Sequence, residues 1–97
     1  MSNHIYIYAV NEREIYNKII NLAEKYEKRE VTPLLWKEIK DSIEMQQIIN
    51  EAKKLCKKYG EPYPLRDQDE AKGNLSRIIC FDFIQYKQNQ LKKENNK

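Results

Sequence analysis

Thr32 and Gly60 bracket the stretch that most restricts how this chain can fold, TPLLWKEIKDSIEMQQIINEAKKLCKKYG. Thr32 has the makings of a helix N-cap, since its hydroxyl can accept an orphan amide of the first turn, and Pro33 falls at N1, where a missing donor costs nothing. Leu35, Ile39 and Ile43 recur every four residues. Ile48 or Ile49, Ala52, Leu55 or Cys56, and Tyr59 continue at the three- and four-residue spacing of one helical face. Lys53, Lys54, Lys57 and Lys58 crowd the last turns, where cations complement the negative end of the helix dipole, and Gly60 suits the left-handed C′ position. Asp41-Ser42-Ile43-Glu44 has capping-box spacing, so the pattern predicts either one long helix or two with a kink near Asp41.

The flanking segments are arranged around this stretch. His4 to Val10 is a β-branched and aromatic run, apolar on both alternating faces, and predicts a strand covered on both sides. Asn11 with Glu14 three residues on predicts a helix from about residue 12 to Arg29, burying Ile15, Ile19, Leu22, Ala23 and Tyr26. Pro62 and Pro64 hold Glu61 to Pro64 extended, with Tyr63 presented between them. Asp67 with Glu70 predicts one or two helical turns closed by Gly73. Leu75 to Tyr86 is dense in β-formers and reads better as a strand, paired with residues 4–10, than as a helix in which Phe81 and Ile84 would leave the apolar face. Residues 89–97 form a polar tail beyond a single domain of residues 1–88.

These elements predict a small α+β domain ordered β-α-α-(short α)-β-α, with two amphipathic helices on a small sheet. The alternative is a mainly helical chain that keeps the N-terminal strand. The expected core is Ile5, Ile7, Ile15, Ile19, Leu22, Leu35, Ile39, Ile43, Ile49, Leu55, Ile79 and Phe81.

Chemistry is sparse in this sequence. The one histidine, His4, and two distant cysteines, Cys56 and Cys80, lack the close ligand spacing of a zinc site. No imidazole stands ready in sequence to activate either thiol or a serine, and two glycines cannot build a phosphate-cradling loop. Asp82, inside an apolar run, would need a partner or a raised pKa if buried; pairing with Arg77 or a tyrosine hydroxyl, or exposure at a sheet edge, explains it more simply than a catalytic or metal-binding role with Asp67, Asp69 or Glu70. No cofactor is expected, and no enzymatic activity.

A net charge of +3, with 15 acidic among 18 basic residues, is too mild to announce nucleic-acid binding. The N-terminus lacks the parts of a signal peptide, and no apolar run approaches the ~20 residues of a membrane span, so a cytoplasmic location is expected. Two doubly apolar strands exceed what two helices can cover in so short a chain, which implies an interface with another protein or with a second copy as a homodimer. The expectation is therefore a small non-enzymatic protein-binding regulator or inhibitor, of the kind phages and mobile elements encode, that occludes a host protein through Trp36, Tyr63 and Arg66. The alternative is a DNA-binding regulatory protein whose Lys53, Lys54, Lys57 and Lys58, joined by Arg66 or by Lys87, Lys92 and Lys93, contact phosphates.

Overall fold

In the computed structural model, which describes residues 3–95, the chain is built from helices, and among these residues there is no strand. Neither the expected α+β sheet nor the N-terminal strand of the helical alternative is formed. The order is α1 (His4–Asn11), α2 (Arg13–Lys25), α3 (Pro33–Lys40), α4 (Ile43–Lys58) and α5 (Leu65–Ile78), then a π-helical segment (Ile79–Gln85) and α6 (Tyr86–Asn95). Ile79 and Tyr86 both keep right-handed helical backbone, so α5, the π segment and α6 form one uninterrupted helix.

The first correction lies at residues 4–10. Asn3 caps α1 by accepting the Tyr6 amide on Oδ1 at 3.1 Å, and its own amide group donates to the Asp67 carbonyl at 2.7 Å. Ile5 and Ala9, one helical turn apart, are fully buried, while Tyr6, Tyr8 and Val10 are half-buried around them. A helix packed against α4, α2 and α5 is covered on several sides, with Ile7 and Asn11 left exposed. Its sequence therefore shows the same continuous apolar run as a covered strand, and β-propensity was outweighed by packing. Asn11 ends α1 instead of capping α2, its side chain donating to the Ile7 carbonyl at 2.9 Å.

The central stretch folds as its signals indicate, in the two-helix form. Thr32 Oγ1 accepts the Leu35 amide at 3.1 Å with Pro33 at N1, Ser42 Oγ accepts the Met45 amide at 3.1 Å, and Gly60 adopts φ 69° after α4. The break at Asp41 interrupts the four-residue stripe. Ile43 becomes the first residue of α4 and is 76% exposed, while Met45, Ile48, Ile49, Ala52 and Cys56 carry the buried face.

The second correction concerns residues 65–86. Gly73 lies inside α5 and does not end it, and the expected strand continues the same helix. Its buried positions are Ala71, Leu75, Ser76, Ile79, Cys80 and Ile84, so that Ile84 follows Cys80 by four residues and Ile79 by five. A π turn, bonded i→i+5, holds one extra residue and so brings Ile84 onto the stripe that α-periodicity assigns to Phe83. Phe81, expected in the core, is 49% exposed, and Asp82 projects into water, where its charge needs no partner. Ile7 is also exposed and Leu55 is half-buried, whereas the other expected core residues are buried.

Of the tail expected at 89–97, residues 89–95 continue α6, and 96–97 lie outside the described residues. Among the described residues, no helix is long and apolar enough to cross a membrane.

Candidate docking groove between the third helix and the pi segment

α3 is held to α5 by contacts that require small residues. The Trp36 ring lies over Gly73, where an added Cβ would stand 3.5 Å from the ring carbon Cζ2. Trp36 Nε1 donates to the Gly73 carbonyl at 3.3 Å, and the fully buried Ser76 hydroxyl donates to the Trp36 carbonyl at 2.6 Å. Lys40 Nζ stands 5.3 Å from the ring centroid and 3.4 Å from Asp69 Oδ1. One face of Trp36 is thereby fixed from both sides.

Beyond Trp36 the helices diverge. The extended residues entering α3 and the π segment leave a groove of about 230 Å³ lined by Val31, Thr32, Pro33, Trp36, Cys80 and Phe81. The threonine hydroxyl is engaged in capping, so the lining is almost wholly apolar. Phe81 forms the outer wall, and on α3 the neighbouring Leu34 is 72% exposed. The groove is smaller than the few hundred Å³ that enclose a drug-sized ligand or cofactor, and its size suits an apolar side chain or two from a partner. Burial pushes the Cys80 thiol above its ordinary pKa, as it does Cys56, where Glu61 adds a smaller effect. The thiols are thus held in their unreactive protonated form, and both cysteines are free. Among the described residues no three His, Cys, Asp or Glu side chains gather to hold a metal ion.

The residues singled out from the sequence do not converge. Trp36 lines the groove, but Tyr63 is half-buried at the start of α5, its carbonyl accepting from Gln68 at 3.0 Å. Arg66 is exposed, with Nε 4.0 Å from both Asp67 and Glu70, and stands about 22 Å along the helix from Phe81 at ~1.5 Å per residue. Phe81 and Leu34 were missed as surface residues. Gly73 and Ser76, two small residues three apart opposite the only Trp, were the available signal.

The lysines of α4 are likewise separated from those expected to join them. Lys57 and Lys58 are exposed, Lys58 Nζ lies 5.4 Å from the Tyr59 ring centroid, and Lys54 is 3.4 Å from Glu51. A hollow beside Lys54 carries Glu12, Glu14 and Glu51 against Lys18 and Lys54, so the acids there outnumber the bases by one. Lys87 begins the far end of the long helix, paired with Glu27 at 2.6 Å, and Lys92 and Lys93 lie farther out still. The Asp41-Ser42 turn does not build a helix-turn-helix, because α3 packs on α5 and not on α4.

Compared with known protein families, curated proteins and solved structures, the chain matches none.

Proposed function

We propose that the chain is a small non-catalytic protein-binding regulator or inhibitor that occludes its target, docking through the groove between α3 and the π segment. The observation that carries this reading is the juxtaposition of a braced Trp36 with an outward Phe81 across an almost wholly apolar cleft. Interfaces gain most of their energy from a few aromatic anchors set in well-packed pockets, and a ring fixed beforehand loses little entropy on binding. Nucleic-acid binding through the α4 lysines ranks second. Their field is diluted by Glu12, Glu14 and Glu51, and the distant α6 lysines cannot extend it.

The test is affinity capture from the source extract under nuclease, using wild type, Phe81→Ser and a Lys57→Ala/Lys58→Ala double variant. A stoichiometric protein that survives nuclease and is lost only with Phe81→Ser is the expected result. Retention by Phe81→Ser, or a nucleic acid whose capture depends on Lys57 and Lys58, would overturn the reading. Sedimentation of the isolated chain separates a second copy from a foreign partner.

A further inference from the structure

We infer that the π segment is a slip joint, so that the last helix has a second, wholly α-helical register reached without unfolding. The inference does not depend on the groove being a docking site. A π turn is an α-helix carrying one extra residue, and relaxing it rotates everything beyond by one residue, about 100°, with an axial step of ~1.5 Å. Each side chain after Ile79 is then replaced at its packing position by the residue before it. No Gly or Pro between Ile79 and Asn95 pins the present register.

The replacements at Ile84 and Gln88 match in chemistry, while the Lys87–Glu27 ion pair at 2.6 Å is given up. Ile84, fully buried, gives way to Phe83, which is already half-buried with its ring 6.0 Å from that of Tyr16. A hollow of about 130 Å³ lined by Ile20, Ala23, Phe83 and Ile84, with Glu24, Glu27 and Lys87 also on its wall, gives the larger ring room. Gln88, whose side-chain amide donates to the carbonyls of Glu27 at 3.0 Å and Arg29 at 2.8 Å, gives way to Lys87, an ammonium that donates to the same oxygens. Lys87 already sits at the edge of that hollow, and Tyr86, 61% exposed in the present register, takes its place there. Leu91, half-exposed at the overhanging end, gives way to Gln90 without uncovering any core.

Two registers with matched partners form a bistable element, whose minor state in such cases is populated at roughly 0.1–10%. Phe81 stands within the segment that rewinds, so a molecule that binds it only in its present position favours the π register.

Relaxation dispersion on the isolated chain tests the inference, since helix register shifts fall in the μs–ms range. The expected result is exchange at residues 79–95 and at Ile20, Glu27 and Arg29. Deleting Asp82 makes the helix α throughout with Ile84 still facing the core, and abolishes the exchange. Phe83→Ala removes the incoming apolar group and abolishes it while leaving the helix length unchanged. Ile84→Ala favours the second register and moves the Tyr86 resonances towards a buried environment. Flat dispersion in the wild type, or exchange that persists in Phe83→Ala, would overturn the proposal.

Discussion

Gly73 weakens its own helix at a place where the contact with Trp36 would also accept alanine. Glycine inside a helix costs about 1 kcal/mol relative to alanine. A Cβ here would meet Trp36 at ordinary van der Waals distance, so Gly73→Ala should stabilise the chain by up to ~1 kcal/mol in urea unfolding. A branched side chain at the same place should push the indole off α5 and weaken both its Nε1 hydrogen bond and the groove wall. Leu34→Ser, at a position largely in water, should change stability by less than about 0.5 kcal/mol, and Phe81→Ser should cost about 1 kcal/mol for the half of the ring that is covered. Phe81→Ser should weaken partner capture by far more than that figure, whereas Leu34, which lines a separate hollow with Arg29, Lys37, Glu38 and Asp41, should leave capture unchanged when substituted. Trp36 was legible as a candidate because a lone Trp early in a capped helix suits either core or interface; it is half-buried and lines the groove. Phe81 was not, because the strand reading turned it inward, whereas the helical spacing that the chain adopts takes it off the apolar face.

Among the elements, α3 and α4 were legible because their ends are written chemically: Thr32, Pro33, Ser42 and Gly60 each satisfy or spare a terminal backbone group. α1 and the last helix have apolar residues on several sides, and periodicity cannot then separate a covered helix from a covered strand. The π turn added to this by displacing Ile84 from the expected face. If that turn is a one-residue insertion, deletion of Asp82 should keep the fold with stability within about 1 kcal/mol of wild type, since no buried group moves. Deleting the exposed Asn50 from α4 is the control. It rotates Ala52 and Cys56 out of the core and should cost several kcal/mol, read from the denaturation midpoint.

The join between α2 and α4 has a pH signature. A hydrogen bond from Lys25, helped by the backbone of Glu44 itself, holds the Glu44 carboxyl below its ordinary 4.5, and the same bond raises Lys25 above 10.5. The carboxylate's contribution is complete above pH 4.5 and is lost as pH falls through the lower folded value. The ammonium's contribution is complete below pH 10.5 and is lost as pH rises through its higher folded value. Glu44→Gln should therefore flatten the acid limb of a stability–pH profile, and an unchanged limb would show that the pair does not persist in solution.

At the scale of the whole molecule, the long helix sets the shape. The chain extends 52 × 25 × 24 Å with a radius of gyration of 14.4 Å, against about 12.5 Å for a compact domain of this length. Gln88 and Lys87 are its last side chains bonded to the body among the described residues, so α6 overhangs the bundle. Charge follows the same division. Residues 87–97 contain four lysines and one glutamate and thus hold the whole formal charge of +3, leaving residues 1–86 balanced. A neutral body with an almost wholly apolar cleft favours recognition by packing over recognition by field. The most direct test of that claim is hydrogen exchange on the complex with whatever protein is captured. Added protection over residues 31–36 and 80–85, with residues 53–58 unchanged, is the predicted footprint, and protection centred on Lys53 to Lys58 would contradict it.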